Sequence, residues 1–153
     1  MALRKVNARD IIIEASDGAD PATWAEIGGL TSVTINRSEN EETADTTDFD
    51  SQGAYSQDIM QRGATIEMEG QLRKDDTDGS LDPGQAQCET NAAEDRVGVA
   101  SHATYRFRYP TDTEWTVWEA TTTLGEQGGG TNEKTTFNCT LTKCGPSTTE
   151  AVA

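Results

Sequence analysis

The sequence predicts a mainly β domain of the α+β class: an antiparallel β-sandwich or curled barrel carrying one short α-helix. Three observations predict it. Segments of apolar–polar alternation recur along the 153 residues, the period of two expected of strands with one buried face. The chemistry of a helix start occurs at one place. A long acidic connection separates two of the early strands, where connections ordinarily run about 4–6 residues. The length suits a single domain over 1–153, because no break in composition marks a second.

The N-terminal arm, 1–10, is charged and has no apolar stretch behind it, so no signal peptide is expected. The longest aliphatic run is Ile11–Ile13, far short of a membrane span; the expectation is a soluble protein made in a cytosol. "RDIIIEASDG" reads as a short strand closed by a turn. "TWAEIGGLTSVTINRS" follows, with Val33 and Ile35 on one face and Ser32, Thr34 and Asn36 on the other.

After the long connection, "GATIEMEGQLRK" gives the clearest alternation. Ala64, Ile66, Met68 and Leu72 share a face, and Thr65, Glu67, Glu69, Gln71 and Arg73 share the opposite one. The helix is expected over 82–97, with Asp82 as N-cap, Pro83 at N1 and Gln85 at N3. Ala86, Ala93 and Val97 would form its apolar stripe and Gly98 its end. "SHATYRFRYP" then places Ala103, Tyr105, Phe107 and Tyr109 inward, with Arg106 and Arg108 outward to pair with acids across the sheet or between subunits. "TEWTVWEATTTL" suits a strand by composition. "GEQGGGTN" is a hairpin tip, and "KTTFNCTLTKCG" alternates Phe137, Cys139 and Leu141 against Thr136, Asn138, Thr140 and Thr142. The tail, 146–153, is expected to be frayed or extended. The total is six or seven strands and one helix.

Chemistry is sparse. Glu67 and Glu69 would stand roughly 6–7 Å apart on one face, a spacing open to glycoside hydrolysis but explained equally well by a solvated face. "KDDTDGSLDPGQ" would place Lys74 and Gln85 at the two most important ligand positions of a calcium loop, which excludes an EF-hand. One histidine and three cysteines without structural-zinc spacing support no metal site. An odd cysteine count fits no disulfide framework, so reduced thiols are expected. Ser101 and His102, neighbours on a strand, point apart and form no dyad. No cofactor is implied, and the chain reads as a non-enzyme.

Twenty-seven acidic residues against 12 basic ones leave a formal charge of −15. Such a balance keeps a free subunit soluble and argues against a nucleic-acid-binding surface. Within the long loop, 38–62, six carboxylates fall between Glu39 and Asp50 without a base: Glu39, Glu41, Glu42, Asp45, Asp48 and Asp50. Alone this segment buries too little apolar surface to offset its ordering entropy. Its second half nonetheless spaces Phe49, Tyr55, Ile59 and Met60 as a docking segment would.

The succession "W-x-x-I-x-G-L-T-S-V-T-I-N-R" (Trp24 to Arg37), the acidic "T-T-D-F-D-S-Q-G" and "R-G-A-T-I-E-M-E-G-Q-L" resembles the major tail tube proteins of long-tailed phages. The likeness covers about residues 10–145 and is strongest from Trp24 to Leu72. It implies a virion protein, assembled in the bacterial cytoplasm, that forms hexameric rings stacked into a tube for genome ejection. In that family the long loop reaches the adjacent ring, which assigns Glu39, Glu41, Glu42, Asp45, Asp48, Phe49, Asp50, Tyr55, Ile59 and Met60 to inter-ring stacking. The partners implied are further copies of the chain, tail tip or initiator, tape measure and tail terminator proteins, and DNA in transit without specific binding; no membrane is implied. Thr65, Glu67, Glu69 and Gln71 are the candidate lining of the lumen, with the outer surface of the tube as the alternative place for this face. Six copies at −15 carry about −90 in formal terms, repulsive to DNA if displayed on the bore. Two other readings stay open: the inner tube of a contractile tail or injection system, and a stand-alone β-sandwich binding module.

Overall fold

The structure, a computed structural model, describes residues 1–152. Ten strands and one α-helix follow in chain order: β1 (Ile12–Ser16), β2 (Trp24–Glu26), β3 (Leu30–Asn36), β4 (Glu42–Asp45), β5 (Gln57–Gln61), β6 (Thr65–Gln71), α1 (Pro83–Asn91), β7 (His102–Arg108), β8 (Glu114–Leu124), β9 (Thr136–Lys143) and β10 (Thr148–Ala151). Eight strands form one antiparallel sheet along the path β2-β1-β7-β8-β9-β6-β3, with β10 joined to β8. The mainly β, antiparallel class with one helix is as the alternation predicts.

The sheet is strongly curled. β2 and β3 are its two edges, yet only Ile27, Gly28 and Gly29 separate them in the chain. Three linking residues reach at most about 15 Å, whereas seven flat strands would place the edges about 29 Å apart. The edges do not pair, so the barrel alternative is corrected to a curled, open sheet. The seam is sealed by the first turn of α1. Gly84 packs so tightly on the backbone of Glu26 and Ile27 that a Cβ would clash. Buried Gln85 donates to the carbonyls of Gly28 and Gln71, each at 2.9 Å, and accepts from the amide of Arg73 at 3.0 Å.

The core is what the alternation supplies: Ile13 and Ala15 from β1, Ile66 and Met68 from β6, Tyr105 from β7, Trp118 and Ala120 from β8, and Phe137, Cys139 and Leu141 from β9. Phe107 meets Trp118 edge to face at 5.4 Å, a favoured aromatic geometry. Tyr105 is fully buried, and burial pushes its phenol well above the ordinary range. Its hydroxyl stays satisfied by Asn91 Nδ2 at 3.0 Å and by Thr122 Oγ1. Cys88 and Cys139 are buried and, with Cys144, reduced.

The helix and the long connection need correction. The helix begins at Pro83 with Asp82 accepting from the amide of Gln85, but it ends at Asn91, not at 97. Its buried face is Gly84, Gln85, Cys88 and Asn91, and Val97 is exposed. The helix fits the seam through glycine and buried polar groups, which a search for an apolar stripe does not register. The 38–62 segment is not an irregular loop: β4 and β5 form a separate two-stranded ladder. Of the two states expected of the tail, Thr148–Ala151 take the extended one, paired with Glu114–Val117 of β8; Ala153 lies outside the described residues.

Outside the curl sits a second, smaller layer. The Arg106 guanidinium lies 4.1 Å from the Trp24 ring centre and 4.3 Å from that of Trp115, in cation–π contact with both. It pairs with Glu14 at 2.6 Å and reaches Glu150 of β10 at 3.5 Å. The cross-sheet pairing expected of Arg106 is therefore made. Arg108 instead covers Trp115 and donates to the carbonyls of Tyr109 and Pro110.

Candidate assembly interface

The acidic segment projects as an arm. All five residues of β5 are exposed, and β4 is exposed except at Ala44, so the hairpin buries no face against the body. Its base is set by contact: Gly63 approaches the backbone carbonyl of Glu39, where a Cβ would stand at 2.5 Å. Asn36 donates to the Glu39 carboxylate at 2.9 Å, and Gln61 donates to the carbonyl of Asn40. Glu41 and Glu42 carry the chain into the ladder, where Glu42 faces Gln61 and Thr43 faces Ile59 across a bulge.

The tip closes by local polar bonding. Asp45 accepts from the amide of Thr47 at 2.8 Å, and these N–H and O–H donors hold its carboxyl below the usual carboxylate range. Thr46 and Ser56 exchange a hydroxyl contact at 2.7 Å. Asp48 caps a 3₁₀ turn over Phe49–Ser51 in a reciprocal box with Ser51, and Gln52 and Gly53 leave it through positive φ. This turn places Phe49 fully exposed between Asp48 and Asp50. Tyr55, Ile59 and Met60 are exposed along the return strand. Exposed apolar side chains gathered on one projecting element mark an interaction surface. The structure thus brings the ten stacking candidates onto one arm.

The lining candidates lie on β6, on the convex face of the sheet. Glu67, Glu69 and Gln71 are exposed there, whereas Thr65 is buried and has no surface to offer. Register places Glu67 between Thr34 of β3 and Thr140 of β9, with Thr123 of β8 next in the row. Glu69 lies between Ser32 and Asn138. The rows through the two carboxylates are therefore hydroxyls and amides without a base. Reading β6 alone misses these rows, although the polar positions of "TSVTIN" and "TFNCTLT" signal them. The two carboxylates are solvent-exposed on this face. Among the described residues no cluster of His, Cys, Asp and Glu could hold a metal ion.

A sequence model of the family described as phage tail tube protein matches residues 5–145. The chain belongs to that family. Its role is accordingly that of a structural protein of the tail tube and not of an enzyme. No curated protein matches the tail tube chain significantly. Solved structures that share its fold include two of gene transfer agent particles. One is the tail of an empty gene transfer agent (GTA) particle, obtained by helical refinement with C6 symmetry: TM-score 0.68, 21% identity, covering 96% of this chain and 100% of that one. The other is the virion of a native GTA particle: TM-score 0.60, 18% identity, with the same coverage.

Proposed function

We propose that this tail tube protein forms six-membered rings that stack into a hollow tube for genome passage, with the arm over 38–62 bridging successive rings. The observation that carries this reading is the arm itself: a two-stranded hairpin with no face buried in its own subunit, presenting Phe49, Tyr55, Ile59 and Met60. The C6 symmetry of the GTA tail supports the sixfold ring. A heterologous contact that closes by rotation makes a ring, and a second that does not close extends it into a tube.

The convex face of β6, through Glu67, Glu69 and Gln71, lines the bore in this reading. A phosphate backbone binds through released counterions, which requires lysine or arginine. Threonine, serine and asparagine with spaced carboxylates supply none, so DNA passes without being held. The open edges β2 and β3 are covered by neighbours in the ring, which removes unpaired strand edges. Further partners are the tail tip or initiator, tape measure and terminator proteins.

Sedimentation of the purified protein over a range of concentration, with negative-stain microscopy of the fast-moving fraction, tests the reading. Rings and tubes with a sixfold end view are expected. A particle that stays a single subunit at every concentration and under every trigger of assembly overturns it.

A further inference from the structure

The segment between α1 and β7 is an exposed but rigid knob. Arg96 clamps it, donating to Asn91 Oδ1 at 2.9 Å, to the carbonyl of Ala100 at 2.7 Å and to that of His102 at 3.1 Å. Ser101 closes it onto the carbonyl of Gly98 at 2.6 Å, and Gly98 turns with a φ of +67°, a conformation that favours glycine. Val97 and Val99 are thereby held outward, 72% and 88% exposed. Such preorganisation lowers the entropic cost of docking, and neither valine serves the fold of its own subunit.

A groove of about 280 Å³ opens at the other end of β7. Ile35, Ala64, Phe107 and Trp118 give it apolar walls, and Arg37 and Lys143 stand among its lining residues. It is the mouth of the open curl, beside the base of the arm. The knob precedes His102, where β7 begins, and Phe107 lies near its finish; the length of β7, about 20 Å, separates them. The charges are complementary. Exposed Glu94 and Asp95 adjoin the knob; among the described residues they form no ion pair, nor do Arg37 and Lys143.

We propose that Val97 and Val99 of one copy seat in this groove of a second copy in the next ring, with Glu94 and Asp95 facing Arg37 and Lys143. The inference rests on the stacked-ring reading and adds to the arm a second, end-to-end contact. The arm tip is not the occupant, because it leaves from the groove's own end and in a head-to-tail stack points away from it.

Two variants test the contact in tubes assembled from the full chain. Val97→Asn with Val99→Asn is expected to leave the unfolding midpoint of the subunit unchanged and to reduce tube yield at least tenfold. Val99→Cys with Ser147→Cys, Ser147 being a further lining residue of the groove, in a Cys144→Ala background, is expected on oxidation to give a ladder of linked chains continuing beyond six. Asparagine-variant tubes of normal yield and length overturn the inference, as do cysteine-variant tubes without a ladder or with one that stops at six, the mark of a contact within a ring. If the cysteine variant forms no tube, the asparagine variant decides. In both failures wild-type tubes still form; if they do not, the stacked-ring reading falls and this inference with it.

Discussion

Gln85, on the first turn of α1, reaches across the seam of the curled sheet to the carbonyl of Gly28 at 2.9 Å. The same side chain holds Gln71 and Arg73, so one buried carboxamide ties the link between the edges to the end of β6. Gln85→Ala strands buried backbone groups, each costing about 1–3 kcal/mol when left unpaired. The variant is expected to lose about 2–4 kcal/mol in urea unfolding of the free subunit; a loss below about 1 kcal/mol would show that solvent replaces the bonds.

Acid should weaken the same corner. Burial raises the Asp82 carboxyl, but hydrogen bonds from Arg73 and from the amides of Gly28 and Gln85, with the Arg73 charge, hold it net below 3.8. A depressed carboxyl contributes stability that is complete above its unfolded value and is lost as pH falls through the folded one. Stability from Asp82 is therefore intact at neutral pH and declines below about pH 3.8. Urea midpoints from pH 6 to pH 2.5 should fall less steeply for Asp82→Asn than for the wild type. Parallel curves would remove Asp82 from the acid response.

Phe49 and Tyr55 touch the rest of the subunit little, so their loss belongs to assembly. The double alanine variant is expected to unfold within about 0.5 kcal/mol of the wild type and to form no tubes by negative stain. Normal tubes would contradict the docking role of the arm.

The arm should also respond to assembly in its backbone. With no buried face, Glu39–Met60 is expected to exchange amide hydrogens rapidly in the free subunit and slowly in the tube. Ordering at each docking step offsets part of the binding energy, so polymerisation should be slow without an initiating complex. Equal protection of the arm in both states contradicts this.

The rows through Glu67 and Glu69 carry no base, and adding two should make this face hold DNA. Glu67→Lys with Glu69→Lys is expected to leave tubes intact while reducing genome delivery in a salt-dependent manner. Delivery at the wild-type level would remove this face from the bore.

Much of the fold is legible in the sequence where a strand has one buried face. "ATIEMEGQL" and "TFNCTLT" show their register because Ile66, Met68, Cys139 and Leu141 all reach one core. Asp82-Pro83 reveals the start of α1 because capping is local chemistry. The end of α1 is hidden because Arg96 folds back as a clamp and contributes no further turn. β4 and β5 are hidden for a related reason: with no face to bury, "QDIMQ" has no alternation to display, and only its ladder with β4 shapes it. The acids and spaced aromatics of the arm are legible in the sequence, and the structure gathers them on one projecting element. The rows flanking Glu67 and Glu69 depend on register across four strands, which no single segment carries.

A density map of the assembled tube at side-chain resolution tests the central claim most directly. Phe49 and Tyr55 of each copy should lie against a chain of the adjacent ring, with Glu67 and Glu69 facing the bore. An arm packed only within its own ring, or left without density in the finished tube, would contradict the account.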